Sequence, residues 1–545
     1  MKTRSIKHRI TNNTLIFVTL IVFTSLLPLM SHGQFLRENP RATVQKFAAM
    51  LEIINYYYVD TANSADLTED AIVAMLKELD PHSMYLSKED VKKANEPLQG
   101  NFEGVGIQFQ LFHDTILVVA AVPGGPSDKL GILAGDKIIT INGEDATGKK
   151  ISNNYVMERL RGPKNSKVTV GIKRKGRKDI IDYTIVRDKI PLNSVDASFM
   201  VSDTIGYIKL TRFARTSLAE VKQALQTLRK SGMKDLILDL RNNSGGYLDV
   251  AIDLSDEFLD NDKLIVYTEG MRSPRTNYKS TSRGSFKQGR IIVMVNEGSA
   301  SASEIVAGAI QDWDRGLILG RRSFGKGLVQ RPFNLPDSSV VRLTTARYYT
   351  PSGRCIQKPY DNGTEDYYAD LLKRFEHGEF VSADSIKFPD SIKYYTPSKR
   401  IVYGGGGIMP DVFIPIDTAA NSKYYSDLFR KGLLNEYTID YLDKHRAELK
   451  RKYPTITDFK KNFTITDELF EDFLAFAEKN EVPRDEEGIE RSGKEIKTII
   501  KGLIARNMFD VSAYFEVISP IDRELMQAIK SIQDDALFRK LSIAM

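Results

Sequence analysis

Cysteine is nearly absent. The 545 residues include one, Cys355, so no internal disulfide can form and the fold must rest on buried apolar side chains. Cys355 sits in Ser352-Gly353-Arg354-Cys355-Ile356-Gln357 and reads as a small packed residue. Histidine is scarce and dispersed: His8, His32, His82, His113, His377 and His445. With no His/Cys cluster, no metal site and no cofactor is expected. A strong excess of one charge is also missing. The net charge is +6, and Lys2, Arg4, Lys7 and Arg9 at the start of the chain supply most of it, so nucleic acid is not an expected partner. The glycine run in Tyr403-Gly404-Gly405-Gly406-Gly407-Ile408 lacks the Lys-Ser/Thr of a phosphate loop and reads as a tight turn.

What is present divides the chain. The four basic residues precede an apolar run from Leu15 to Met30 and then Ser31-His32-Gly33, the pattern of a secretory signal peptide over 1–33. The expected location is the periplasm or cell envelope. An uncleaved membrane anchor is the alternative, because the apolar stretch is near the lower limit for a span. Residues 34–99 read as helical, with Val44, Phe47, Met50, Leu51 and Ile54 at helical spacing. Residues 100–188 read as a β-rich domain, and 189–417 as an α/β core with a strand at Gly206–Leu210 and a helix from Ser217. Residues 418–545 are charged and helical, and their charge runs read as solvated faces. A chain this long can bury a core in each of several domains.

Two residues stand out by their surroundings. Ser301 lies in Asn296-Glu297-Gly298-Ser299-Ala300-Ser301-Ala302-Ser303-Glu304-Ile305, between the apolar run Ile291–Val295 and the helical pattern of Ile305, Val306, Ala309 and Ile310. Strand, small-residue turn and helix would hold its hydroxyl at a helix N-terminus. Ser301-Ala302-Ser303-Glu304 is equally a capping box, and taken locally the cap is the commoner use of such a serine. Lys326 lies in Gly325-Lys326-Gly327-Leu328-Val329-Gln330, where glycines let backbone crowd around it. A serine nucleophile needs a base, and a lysine kept neutral by burial can serve. That requires a drop of roughly 3 units from the usual lysine pKa, within the reach of desolvation. No histidine adjoins either segment, and those outside the leader read as ordinary surface or core residues, so lysine is the better base. Gln330, four residues on, could orient the amine without adding a charge, or could be a plain strand-edge residue. The oxyanion donors would be the Ala302 N–H and the turn in Leu238-Asp239-Leu240-Arg241-Asn242-Asn243-Ser244-Gly245-Gly246, if the two strand ends lie side by side.

These stretches together resemble the carboxyl-terminal processing, or tail-specific, proteases, a family of serine–lysine endopeptidases. The likeness runs from about residue 38 to about 416 and includes Leu79-Asp80-Pro81-His82-Ser83-Met84-Tyr85-Leu86. It implies Ser301 as nucleophile, Lys326 as base, Gln330 as its support, and Ala302 with the Gly245-Gly246 turn as the oxyanion hole. The family often has proline where Ser244 stands, and the segment 359–399 is longer here than in compact members. Residues 102–170, from Phe102-Glu103-Gly104-Val105-Gly106-Ile107 through Asp136 and Asn142-Gly143 to Val168-Thr169-Val170, resemble a PDZ domain, which adds a peptide C-terminus as a strand. Its carboxylate loop would be Gly104, Val105, Gly106 and Ile107. A plain β-domain with a Gly-rich hairpin is the alternative.

The expected fold is therefore α/β and multidomain: a helical N-terminal region, a PDZ-like β-rich domain, an α/β serine protease core (ClpP/crotonase-like) and a helical C-terminal extension. The expected function is an exported serine endopeptidase acting on the C-terminal tails of unfolded or envelope proteins. A catalytically silent PDZ-containing scaffold is the alternative, and intact Ser301, Lys326 and Gln330 speak against it. Action on small molecules is disfavoured by the carboxylate-binding module. Protein C-termini are the expected partners. The terminal helices are candidates for homo-oligomer contacts or for docking an adaptor protein, and an uncleaved leader would add membrane association.

Overall fold

The computed structural model describes residues 40–543 apart from His113, Lys149 and 418–420. The leader at 1–33 lies outside the described residues. The chain divides into two compact units, 1–75 and 76–545. Within the first, helix Pro40–Tyr57 has no buried residue, and Val44, Phe47, Met50 and Ile53 form an exposed apolar stripe along it. Among the described residues, no helix is long and apolar enough to cross a membrane.

The second unit is organised around a six-stranded sheet. Its order is Val195–Met200, Ile205–Leu210, Asp235–Asp239, Ile291–Val295, Leu317–Gly320 and Val412–Phe413. The first two strands are antiparallel and all later neighbours are parallel. Continuous apolar runs such as Ile291–Val295 follow from burial on both faces. Alternation decides which side chain goes where. Leu236, Leu238, Ile291, Val293 and Val295 meet helices Ser217–Lys230, Leu248–Asp256 and Ala302–Asp312. Ile237, Ile292 and Met294 point the other way, onto Leu525, Ala528, Ile532 and Phe538.

The second covering layer comes from helices Arg523–Ile532 and Asp535–Lys540, at the end of the chain. The last part of the helical extension is thus a structural layer of the α/β core. Ahead of it, helices from Lys423 to Ile518 build a core of their own around Leu428, Leu442, Phe459, Phe473, Ile500 and Ile504. The charged residues that dominate the sequence there lie outside that core.

A second sheet carries the loop around Lys326. Strand Val340–Tyr349 pairs with Leu328–Asn334, Leu264–Gly270 and the short strand Met84–Leu86. The stretch expected to be helical through residue 99 therefore includes a strand at 84–86, and this pairing carries the 80–83 turn onto the core. The PDZ-like domain is a sheet ordered Ile107–Phe112, Thr115–Ala121, Lys137–Ile141, Lys167–Lys173 and Ile181–Val186, with helix Asn153–Leu160 beside it. Ile107–Phe112 is its edge strand.

The C-terminal layer generates a stability prediction. Phe538 is fully buried, so Phe538→Ala is expected to lower the unfolding free energy by about 3–5 kcal/mol. Urea denaturation reads this as a lower midpoint. An unchanged midpoint would mean that the sheet does not depend on its last helices.

Candidate active site

The ends of strands Asp235–Asp239 and Ile291–Val295 lie side by side, with Asp239 opposite Met294. Their two following turns are consequently in contact. The Ser299 hydroxyl accepts the Asn296 N–H at 2.9 Å and donates to the Leu240 carbonyl at 2.8 Å. The Ser303 hydroxyl donates to the Asn243 carbonyl at 2.8 Å, and the Ala300 N–H reaches the same oxygen at 3.0 Å. Ser299 and Ser303 thus join the two turns, and half-buried Ser301 stands between them.

Ser301 has φ 55° and ψ −112°. An ordinary capping residue is extended, whereas this conformation costs a non-glycine residue on the order of 1–3 kcal/mol and persists only where its surroundings impose it. Gly245 supplies part of that constraint. A Cβ on Gly245 would fall 2.9 Å from the Ser301 Cβ and 2.8 Å from the Ala300 oxygen, so only glycine fits against the turn.

Glu304 makes the acid arm of the capping box: its Oε2 accepts the Ser301 N–H at 2.8 Å. It also does something the sequence did not disclose. The same Oε2 accepts the Lys326 N–H at 2.9 Å, while Oε1 accepts the Gly325 N–H at 2.7 Å and the Ser323 hydroxyl at 2.6 Å. One fully buried carboxylate therefore holds the serine turn and the lysine loop together. Burial pushes its carboxyl up to about 7, against the pull of its four donors. A second tie comes from Tyr348, whose buried hydroxyl donates to the Lys326 carbonyl at 2.7 Å and to the Ser301 carbonyl at 3.1 Å. Burial keeps this phenol far above its usual pKa, so it remains a donor.

Lys326 is half-buried, and its Nζ donates to Gln330 Oε1 at 3.2 Å. Burial lowers its pKa from the ordinary 10.5, and the Glu304 carboxylate acts in the opposite sense. Gln330 Nε2 in turn donates to the His82 carbonyl. The His82 ring, 8% exposed, shares a 2.8 Å hydrogen bond with the Tyr367 hydroxyl. Burial and the nearby Lys326 lower its pKa to about 4. His82 is therefore a core residue in burial but not an ordinary one in its partners. Asp80 fixes its turn by accepting the His82 and Ser83 N–H groups at 2.8 and 2.9 Å and the Thr344 hydroxyl at 3.0 Å. The family-like 79–86 stretch was the only signal pointing to His82, and nothing local marked Tyr348 or Tyr367.

Two backbone donors face no acceptor. Among the described residues, neither the Ala302 N–H nor the Gly246 N–H is engaged by another group of the chain. The Gly245 N–H is engaged, by Asn243 Oδ1 at 2.9 Å. Gly407, in the glycine run, lies against the lysine loop: Ser323 exchanges bonds with Ile408, 3.1 Å through its N–H and 2.6 Å through its hydroxyl.

The PDZ-like loop is a separate place. No hydrogen bond among the described residues joins 104–107 to the Ser301–Lys326 cluster. Gly104 ends one strand and Ile107 begins the edge strand. Between them, the Val105 carbonyl accepts the Ser127 N–H and hydroxyl at 3.1 and 2.7 Å, and the Gly106 carbonyl accepts the Val122 N–H at 2.9 Å. Gly106 has φ 76°, which glycine tolerates. A cleft beside this loop is lined by Phe102, Val105, Gly106, Ile107, Phe109, Met157, Leu160 and Arg161.

Comparison with known proteins identifies relatives of the same stretches of the chain. The model of Peptidase family S41 matches residues 204–366, that of the PDZ domain matches 117–174, and a family of unknown function matches 424–510. A carboxy-terminal-processing protease of Bartonella bacilliformis is 38% identical over 325 residues, covering 59% of this chain and 74% of that protein. A probable CtpA-like serine protease of Staphylococcus aureus is 34% identical over 347 residues, covering 63% of this chain and 68% of that one. The solved photosystem II D1 C-terminal processing protease aligns over 68% of this chain and 92% of its own at 27% identity, with a TM-score of 0.35.

The buried carboxylate generates a pH prediction. Its folded pKa, about 7, lies above the ordinary 4.5, so the folded state holds the proton more tightly than the unfolded one. The resulting contribution to stability is fully present below about pH 4.5 and is lost as pH rises through about 7. Glu304→Gln is expected to flatten the fall in urea midpoint between pH 5 and 8. Equal slopes in the two proteins would show that Glu304 does not titrate in that range.

Proposed function

Because the chain belongs to the carboxy-terminal-processing serine proteases of peptidase family S41, we propose that Ser301 is the nucleophile, Lys326 its base and the C-terminal tail of a polypeptide the substrate. The observation carrying this reading is the pair of shared anchors. Glu304 Oε2 takes the N–H of both residues, and the Tyr348 hydroxyl donates to both carbonyls. A strained serine and a lysine whose pKa is lowered by burial are thereby held by the same buried groups.

The steps follow from the groups present. Neutral Lys326 Nζ removes the Ser301 hydroxyl proton as Oγ attacks the scissile carbonyl carbon. Gln330 Oε1 accepts from the amine and orients it without a charge that would favour the ammonium. Negative charge developing on the carbonyl oxygen is met by the Ala302 N–H and by the Gly245-Gly246 turn, in which the unengaged N–H is that of Gly246. The lysine ammonium then gives its proton to the leaving amine as the C–N bond breaks. Water, deprotonated by the same lysine, hydrolyses the acyl-enzyme and restores Ser301.

The PDZ domain supplies recognition. A substrate tail adds as a strand along the open edge of Ile107–Phe112, with its terminal carboxylate at the Gly104–Ile107 loop and its last side chain in the adjoining apolar cleft. The basic start and apolar run of residues 1–33 support export to the cell envelope as the setting.

Ser301→Ala is expected to abolish cleavage of an unfolded, tail-bearing protein, and Lys326→Ala to slow it by about 10²–10⁴-fold, both with unchanged thermal midpoints. In the parent enzyme kcat/KM should rise with pH through a lysine pKa below 10.5, since only the neutral amine accepts the proton. Near-normal turnover by Lys326→Ala at neutral pH would require a different base and remove this mechanism.

A further inference from the structure

The two oxyanion donors belong to different turns. The Gly246 N–H lies in the turn after strand Asp235–Asp239, and the Ala302 N–H follows the turn after strand Ile291–Val295. Both must point at one oxygen, so the spacing of the two turns decides whether they act together. Part of that spacing is held by neutral bonds. The Asn242 N–H donates to Asn296 Oδ1 at 2.8 Å, and Asn296 Nδ2 donates back to Asn242 Oδ1 at 2.9 Å.

A second tie is charged and comes from the end of the chain. Arg241 stands five positions before Gly246, and Glu297 five before Ala302. Glu524, in the first turn of helix Arg523–Ile532, reaches the side of both. Its Oε2 accepts Arg241 Nη1 at 3.0 Å and its Oε1 accepts Arg321 Nη1. Arg321 in turn donates through Nε to Glu297 Oε2 at 2.8 Å. Asp522, which caps the same helix by accepting the Leu525 N–H at 3.0 Å, takes Arg241 on both oxygens at 3.0 and 2.7 Å. The side chains of Arg321, Arg241 and Glu524 are 6, 13 and 15% exposed, so water screens these bonds little and their forked geometry is specific. Leu525, Ala528 and Ile532 already hold the helix on the sheet through apolar contacts, so attachment alone does not call for the bridge. The two oxygens of Glu524 serve different arginines. A glutamine would offer one oxygen and a donor in place of the other, and could serve one side only.

We propose that Glu524, supported by Asp522, is a positioning residue for the oxyanion hole: through Arg241 on one side and Arg321 with Glu297 on the other, it sets the spacing of the Gly246 and Ala302 N–H groups. This rests on the reading of Ser301 as nucleophile and of those two groups as its oxyanion donors. The C-terminal extension then enters the chemical step as well as the fold.

The test uses Glu524→Gln in the full-length protein, at a temperature where circular dichroism shows parent and variant fully folded. Asp239, Glu297 and Asp522 still balance Lys209, Arg241 and Arg321 in that variant. Cleavage of an unfolded, tail-bearing protein should lose about ten- to hundredfold in kcat with KM unchanged. A peptide boronic acid, whose boron becomes tetrahedral on taking the Ser301 oxygen, should bind more weakly by the same factor, and a short tail peptide should bind as before. Asp535→Asn is the control. It removes the pair with Arg290 at the opposite end of the sheet, before Ile291, and should leave kcat unchanged. Glu297→Gln opens the same bridge from its other end and serves if Glu524→Gln disturbs folding; the two losses should be less than additive when combined. Unchanged kcat and boronate affinity in Glu524→Gln overturn the proposal. So do an equal loss in Asp535→Asn, which would mark a general effect on the fold, a rise in KM with kcat intact, and additive losses in the double variant. The underlying reading is tested separately: were Ser301→Ala to cleave normally, or the parent to refuse the boronate, the nucleophile assignment itself would fall.

Discussion

The site depends on one buried carboxylate shared by two loops. Glu304 leaves the first turn of its helix and collects donors from Ser301, Ser323, Gly325 and Lys326. A carboxylate removed from water is expensive unless its oxygens are filled, and here backbone N–H groups from both motifs fill them. The requirement works in both directions. The glutamate is tolerable in the core because the loops meet there, and the loops stay together because separating them would leave the carboxylate unsatisfied. The strain at Ser301 is sustained by the same arrangement, with Gly245 pressed against one side and Tyr348 bonded to the other.

Around this point the architecture is a sheet closed on both faces. Its first covering layer contains the serine-bearing helix, and its second comes from the final helices of the chain. The start of that second layer is tied to the site by charge. Arg241, in the turn before Gly245, is bonded to Asp239, Asp522 and Glu524, and Arg321 joins Glu297 to the same Glu524. These pairs are largely buried and mutually hydrogen-bonded, which distinguishes them from exposed ion pairs of small net value. The long C-terminal extension is thereby connected to the turns that follow both central strands through side chains rather than appended to a finished core.

The segment 359–399 has a related part on the opposite side. Tyr367 closes a ring of contacts that runs from Lys326 through Gln330 to His82, and Gln357 joins it by accepting the Gly327 N–H at 2.8 Å. Each member of that ring is neutral except the lysine itself. These partners bond the amine without adding a charge of their own, and burial lowers its pKa against the opposing pull of the Glu304 carboxylate. This segment thus contacts the surroundings of Lys326 through Tyr367.

Local sequence determined a great deal here, because several demands are local. A serine in a small-residue turn between a buried strand and a helix, a lysine between glycines, and an edge strand preceded by Gly-Val-Gly each follow from backbone sterics and periodicity within a few residues. The two-faced burial of Ile291–Val295 could likewise be read from its unbroken apolar run. Other features were settled only when distant parts met. The partners of Glu304 lie about twenty residues downstream, and Gln330 reaches His82 across 248 positions. Phe538 looks like any apolar residue of a charged helix until the bare face of the sheet is known. The physical reason is the same in each case: conformational preference is carried by neighbours in the chain, whereas burial and hydrogen-bond satisfaction are properties of groups brought together from far apart.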